Sequence, residues 1–376
     1  MASKNKFREV DVLVVGAGPA GATAALNLAP TRPVALIDLR SHPRPRIGES
    51  MPPAARRLLT DMGLWDSFQA EGGHSPCYGN RAVWGSPRAV ETDFLRDPDG
   101  HGWHIDRAQF DLWLRAIAVD SGATVLAPGR LESIEWDGQC WRVRVETASG
   151  STGLIAPVVI DAGGRASPVG RSLGAHRQVR DKLVCSWLCG KARPIHRGAG
   201  FTYIEAVDDG WWYAAPMPGN RRVFAFHTDC DLPGARVIAD PKKLLQRAAA
   251  SHELAAVLSE SGFTPEQSGC CAAHNALLQP VAGPAWFAVG DAACSFDPLS
   301  SQGLLHALYT GLAAAEATDR YLSGASDALP DYLETLNRVY AAYQQQLFHW
   351  YGVETRWSDK PFWQRRQSIS SSAPTQ

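Results

Sequence analysis

Three glycines and one acid carry the first chemistry this chain of 376 residues can do. Gly16, Gly18 and Gly21 fall in the run Gly16-Ala17-Gly18-Pro19-Ala20-Gly21, after the apolar stretch Val10–Val15 and before an Ala/Leu-rich stretch reaching about Ala29. A second apolar stretch, Val34–Ile37, ends at Asp38. Each residue type answers a need of a bound dinucleotide. Gly16 permits a tight turn, Gly18 lets the backbone approach a pyrophosphate, and Gly21 lets helix and strand pack closely. The helix opening around Ala20 would offer unpaired N–H groups and a positive dipole end to the phosphates. Asp38, at the usual spacing of about 20 residues, can accept hydrogen bonds from an adenosine ribose. Ordinary glycine-rich turns share the bare spacing. Strand, helix, second strand and terminal acid in register turn it into a prediction of dinucleotide binding.

A large, ordered frame must position these groups. A chain of this length buries about three quarters of its unfolded surface and is expected to form two subdomains. The net charge is −1 with both signs dispersed, so nucleic acid and an anionic membrane are not expected partners. No apolar run reaches the ~18 residues of a membrane span. The first nine residues, MASKNKFRE, show no signal-peptide core, which leads to the expectation of a cytoplasmic protein. The eight cysteines form no CxxC and have no partnered histidine spacing, so no metal site is predicted and reduced thiols are expected.

Leu39, Arg40, Arg44, Arg46 and Ser50 lie in a proline- and arginine-rich stretch that cannot sustain a helix. This loop either stays solvated or places a cation against the pyrophosphate or closes over the edge of the bound cofactor. A helix is predicted over Ala54–Met62, with Pro52 or Pro53 opening it. Ile134–Trp136 and Trp141–Thr147 read as a hairpin, Val158–Asp161 as a buried strand, and Leu183–Asp231 as an antiparallel sheet. Pro241–Leu258 reads as helical. A further apolar strand runs into Gly290-Asp291, and Asp297-Pro298-Leu299-Ser300-Ser301-Gln302-Gly303-Leu304 opens a helix over Leu305–Tyr321.

The glycine motif with its acid, PRPRIGES over Pro43–Ser50, a helix ending MGL, and DRAQFDLWL over Asp106–Leu114 together resemble the flavin-dependent monooxygenase and halogenase superfamily. The resemblance implies an α/β fold: a glutathione-reductase-type FAD-binding Rossmann domain, an inserted antiparallel β-sheet substrate domain and a helical C-terminus. It implies that Arg107 contacts FAD, that Asp161 begins a segment closing over the cofactor, and that Asp291 binds the ribityl chain. Gln302, Gly303 and Leu304 would place a helix N-terminus at the isoalloxazine edge, where N–H groups stabilise negative charge on reduced flavin. The expected division is 1–72, 104–176 and 280–330 for the FAD domain, 73–103 and 177–279 for the substrate domain, and 331–367 for a helical segment. Residues 368–376 are expected to be a disordered tail.

No second GxGxxG and no redox CxxxxC is present. Electrons would therefore come from transiently bound NAD(P)H or from a separate flavin reductase, with O2 as the oxygen source. The halogenase motif W-x-W-x-I-P appears altered as Trp211-Trp212-Tyr213-Ala214-Ala215-Pro216. Cys77 aligns with the halogenase lysine, and Ser300 with a glutamate of the tryptophan halogenases, so halogenation is disfavoured. Hydroxylation of an aromatic ring through a flavin C4a-hydroperoxide is the expected reaction. Cys77 and Tyr213 are the candidate residues on the substrate side, and Trp84, Trp103, Trp211, Trp212 and Tyr213 either build an aromatic pocket or serve as sheet core.

DGWWYAAPMP, GDAACSFDPLSSQGL and ETRWSDKPFWQRR give a narrower resemblance, to flavoproteins that mature tryptophylquinone cofactors. It implies a substrate that is a tryptophan in a partner oxidase or dehydrogenase precursor. The aromatic stretch Tyr340–Arg366 would be either a helix packed across the domain seam or a docking surface. The alternatives are a hydroxylase or halogenase of a free aromatic molecule, and a non-catalytic binder on the same fold.

Overall fold

The structure, a computed structural model, describes residues 7–195 and 200–367. The predicted tail at 368–376 lies outside the described residues.

The strands Val12–Val15, Val34–Ile37 and Val158–Asp161 are buried at every position, as a parallel sheet covered on both faces demands. They are central to a six-stranded sheet whose order is Ala282–Gly283, Trp286–Ala288, Val158–Asp161, Val12–Val15, Val34–Ile37, Thr124–Leu126. All neighbours are parallel except the first pair. Register places Val15 opposite both Ile37 and Asp161, and Asp161 opposite Ala288. The segments following those strands, from Gly16, Asp38, Ala162 and Val289, thus leave the sheet at one edge. Ligands of open α/β sheets bind outside the carboxyl ends of the strands. The helix Pro19–Leu28 is almost wholly buried between the helices Arg107–Asp120 and Gly303–Leu322.

The second large element is a seven-stranded sheet in the order Thr264–Ala272, Leu183–Lys191, Arg221–Asp229, Gly210–Met217, Phe201–Val207, Gly79–Val83, Val90–Asp93. Its pairings are antiparallel except Phe201–Val207 with Gly79–Val83. One face carries Leu188, Trp212, Phe224 and Phe226, packed with Ile238, Leu244 and Leu254. The helical stretch predicted as Pro241–Leu258 is two helices, Pro241–Ala249 and Glu253–Ser261. The buried Glu205 carboxylate accepts the N–H groups of His252, Glu253 and Leu254, satisfying the donors at the start of the second helix.

The predicted hairpin extends into a sheet of Gly129–Trp136, Trp141–Thr147, Gly150–Ala156 and Arg8–Glu9. The helix predicted over Ala54–Met62 is Ala55–Asp61, and that predicted over Leu305–Tyr321 is Gly303–Leu322. The chain closes with the helices Ala328–Val353 and Pro361–Gln367. Phe362 and Trp363 are fully buried against the other face of the seven-stranded sheet, with Tyr351. Arg366 pairs with Asp229 at 2.8 Å, both nearly wholly buried. Of the two readings of Tyr340–Arg366, this packing is that of a helix across the seam. Among the described residues no helix is long and apolar enough to cross a membrane.

Candidate functional site

Between the carboxyl edge of the parallel sheet and the face of the seven-stranded sheet lies a cavity of about 990 Å³. Its wall gathers Gly16, Gly18, Ala20, Asp38, Leu39, Arg40, Arg46, Ser50, Arg107, Tyr213, Asp291, Pro298, Gly303 and Leu304, all singled out in the sequence.

Gly16 has φ +110°, and a Cβ there would stand 2.2 Å from the Ala162 carbonyl oxygen. A Cβ on Gly21 would stand 1.8 Å from the Gly16 carbonyl oxygen. Both glycines thus serve close packing of strand and helix. At Gly18 the only atom within reach of a Cβ is Arg46 Nη2 at 4.0 Å, so this backbone faces open cavity. The helix it begins has no side-chain cap and Pro at its first position, leaving N–H groups for an anion. Asp38 accepts from Ala17 N (2.8 Å) and Arg40 N (2.9 Å), and Arg115 lies 3.5 Å away. Each carboxylate oxygen retains a further lone pair for a ribose hydroxyl.

Seven arginines line the cavity: Arg40, Arg44, Arg46, Arg107, Arg115, Arg130 and Arg165. Arg46 bonds the buried Asp111, and Arg107 reaches both Asp111 (3.3 Å) and the Gly48 carbonyl (3.1 Å). Arg115 donates to the carbonyls of Arg40, Ser41 and Ala17. The arginine-rich loop is therefore tied to the helix Arg107–Asp120, whose first turn is capped by Asp106. Sequence reasoning missed Asp111 and Arg115. Their places one and two turns beyond Arg107, on the same helix, were the available signal.

Asp291 keeps an open carboxylate, 41% exposed, with Arg165 Nε at 3.4 Å. The helix Gly303–Leu322 starts beside it, again with no side-chain cap. A diphosphate at Gly18, a ribose at Asp38, a polyol at Asp291 and a flavin edge at Gly303 fit the donor set of this wall. Five predicted residues do not reach it, Gly21 among them, which packs against the Gly16 carbonyl. Asp161 is wholly buried, its carboxylate spent on the N–H groups of Gly163 (3.0 Å) and Gly170 (2.8 Å). Gly290 packs on the nucleotide helix, where a Cβ would stand 2.9 Å from Ala20 Cβ, and its N–H donates to Thr310. Gln302 contributes its carbonyl to His306 N (2.8 Å), and its side chain is not on the wall. Cys77 is 2% exposed, bonded to Gly79 and Thr202, and burial pushes its thiol up. That cysteine is an interior filler.

Trp187, Ala225, Tyr213, His227, Cys185 and Cys271 line the cavity from the seven-stranded sheet. The aromatic pocket proposed from sequence is thus mostly elsewhere. Trp212 lies on the opposite face, Trp84 packs with Trp211, Tyr351 and Trp363, and Trp103 packs with Trp65 and Phe68. Trp211 stacks behind His227 at 3.7 Å between ring centroids. Burial lowers the His227 pKa to about 3, so the imidazole is neutral, and neither ring nitrogen finds a hydrogen-bond partner among the described residues. Tyr213 is a neutral phenol, raised well above its ordinary value by burial and then by Glu49.

Asp297, on the same wall, is wholly buried. Its carboxylate accepts from Leu299 N (2.9 Å) and Tyr351 Oη (2.8 Å). Burial, followed by the charge of Asp181, pushes it up to about 7. Tyr351 in turn accepts from Trp211 Nε1 at 3.2 Å. Asp297, Tyr351 and Trp211 thus form a chain running behind the cavity to His227. Among the described residues no group of three or more His, Cys, Asp or Glu is placed to hold a metal ion.

A family model described as an FAD binding domain matches residues 9–309. LodB of Marinomonas mediterranea, named as an FAD-dependent oxidoreductase, is 30% identical over 366 residues, covering 96% of this chain and 98% of that protein. The solved structure of the myxobacterial chondrochloren halogenase CndH matches with a TM-score of 0.87 at 24% identity, covering 97% of this chain and 89% of that one. QhpG, described as a peptidyl tryptophan dihydroxylase essential for tryptophylquinone cofactor biogenesis, matches with a TM-score of 0.76 at 23% identity, covering 96% and 79%. At these identities the two solved structures speak to the fold.

Proposed function

The chain belongs to the FAD-binding-domain family and is an FAD-dependent oxidoreductase of the monooxygenase and halogenase superfamily, and from that premise we propose that it hydroxylates an aromatic ring, namely a tryptophan side chain of a partner polypeptide. The observation that carries the reading is the composition of the wall facing the nucleotide edge. It combines Trp187, Tyr213, Phe296 and the neutral His227, and among the described residues no lysine lines it. Halogen transfer in the resembling enzymes depends on a lysine; oxygen transfer asks for an apolar, water-excluding cavity with a few polar groups.

Gly18 and the arginines would hold the diphosphate, Asp38 the ribose, and Asp291 the ribityl chain. When bound, FAD supplies the two-electron activation of oxygen. Trp187 and the edge of Phe296, whose faces are stacked on Tyr343 and His306, help exclude water from an aromatic ring. His227 offers an acceptor, and Tyr213 a donor, to the polar edge of that ring; an indole N–H bonded to neutral imidazole makes the ring more electron-rich. The fold shared with QhpG, described as a peptidyl tryptophan dihydroxylase, supports a protein-bound tryptophan as substrate. Electrons come from NAD(P)H or a flavin reductase, and the eight unpaired cysteines fit a reducing, cytoplasmic setting.

The test is mass spectrometry of a tryptophan-containing oxidase or dehydrogenase precursor polypeptide, incubated with the protein, FAD, NAD(P)H and oxygen. A gain of one or two oxygens on a tryptophan supports the reading. An unmodified precursor, alongside efficient turnover of free indoles or phenols, rejects it.

A further inference from the structure

A second pair of reactive groups shares the cavity and has no part in the proposed hydroxylation. Cys185 and Cys271 stand directly opposite each other on adjacent antiparallel strands. Both line the cavity, and they are not joined. Cys185 is wholly buried, whereas Cys271 is exposed, on the edge strand of the sheet. We propose that Cys271 and Cys185 form a peroxide-reactive dithiol, with Cys271 the attacking thiol and Cys185 the resolving one, closing reversibly to a cross-strand disulfide.

Register supplies the geometry. Ala273 N–H donates to the Leu183 carbonyl at 3.0 Å, so Leu183 and Ala273 are a hydrogen-bonded pair. Two residues along, Cys185 and Cys271 are one as well. Such pairs hold their Cα atoms about 5.5 Å apart, inside the window a disulfide spans. Their Cβ atoms stand at about 4.5–5.5 Å, wider than a relaxed disulfide prefers, so the bond is one that cellular thiols can reopen. The neighbouring Cys270 has Ser186 as its register partner and therefore no cross-strand thiol.

The two thiols are also differentiated electrostatically. Burial raises the Cys185 thiol, and its interaction with Cys271 raises it further while lowering Cys271. The guanidinium of Arg165 lowers Cys271 further. An accessible thiol of lowered pKa beside a buried resolving thiol is the arrangement that oxidation selects.

The oxidant is hydrogen peroxide, formed when oxygen takes two electrons without passing an atom to a substrate. The Cys271 thiolate attacks one peroxide oxygen, the O–O bond breaks, and the departing hydroxide takes a proton to become water. Cys271 is then a sulfenic acid. The Cys185 sulfur attacks the Cys271 sulfur, the S–O bond breaks, and hydroxide leaves with the Cys185 proton as a second water. Two thiols have lost two electrons, and one peroxide has become two waters.

The experiment uses the full-length wild-type chain as purified, treated with one equivalent of hydrogen peroxide, alkylated without reduction and digested for mass spectrometry. The expected product is a linked pair of peptides carrying Cys185 and Cys271, lighter by two hydrogens and returned to two alkylated thiols by dithiothreitol. Cys185→Ser is expected to leave Cys271 as a sulfenic acid that a dimedone probe traps. The exposed Cys230 and Cys270 serve as internal references and are expected to remain alkylatable. Cys185 and Cys271 remaining fully alkylatable, or Cys230 and Cys270 oxidising as fast, would overturn the proposal. None of these readouts depends on the substrate of the flavin reaction.

Discussion

Substituting Gly18 by valine separates cofactor binding from folding more cleanly than any other change in the nucleotide loop. Gly18 has φ −76° and ψ −176°, an extended conformation open to any residue, and an added Cβ meets only Arg46 Nη2, at 4.0 Å. The protein itself therefore tolerates the side chain, which instead occupies the space a pyrophosphate needs. Losing two charge-assisted hydrogen bonds at about 1.5–3 kcal/mol each removes roughly 3–6 kcal/mol of binding. That raises the FAD dissociation constant by about a hundredfold or more. Gly16→Ala is the contrasting control. Its Cβ would stand 2.2 Å from the Ala162 carbonyl oxygen at φ +110°, so it should lower the melting temperature of the flavin-free protein. The assay pairs flavin fluorescence titration with thermal melting of the flavin-free form. Gly18→Val protein that binds FAD normally, or that melts as early as Gly16→Ala, refutes the placement of the pyrophosphate.

Asp297 keeps its proton in the fold up to about pH 7, whereas the unfolded chain releases it near pH 4. This protonation stabilises the fold fully below about pH 4, and the contribution falls away as pH rises through about 7. Asp297→Asn should therefore flatten that part of the stability-against-pH curve measured by urea unfolding. Arg366→Leu leaves Asp229 buried with Arg365 as its remaining cation, and should cost about 3–5 kcal/mol in the same assay, towards the lower end. His227→Leu should leave the FAD dissociation constant unchanged. It should lower kcat/KM for the aromatic substrate by about tenfold, through loss of one hydrogen bond of about 1.5 kcal/mol to the ring.

The nucleotide half of the site was legible because its chemistry is local. Gly16, Gly18, Asp38 and Asp291 act through their own backbone or one short side chain at the end of a strand, and the strands announce themselves by unbroken apolar runs. The other half is assembled by register. His227 meets Trp211 and Cys185, and Cys185 meets Cys271, only because strands distant in sequence pair at particular residues. The strand Thr264–Ala272 has almost every side chain exposed, so it lacks the alternation that would have marked it as sheet. Asp161 and Cys77 misled for one reason. A polar residue at a strand end beside a ligand motif looks identical whether it faces the ligand or the core, and here burial decided for the core. Tyr351 was read with the aromatic C-terminus, yet its hydroxyl holds Asp297 across 54 residues of sequence.

The central claim is that this cavity transfers oxygen from O2 to an aromatic ring. The direct measurement supplies the FAD-loaded protein and a reductant with isotopically heavy O2, excess bromide and the tryptophan-containing precursor, and reads the product by mass spectrometry. Heavy oxygen on the tryptophan ring, with no bromine, is the predicted result. Bromine on the ring, or oxygen drawn from water rather than O2, would contradict the claim.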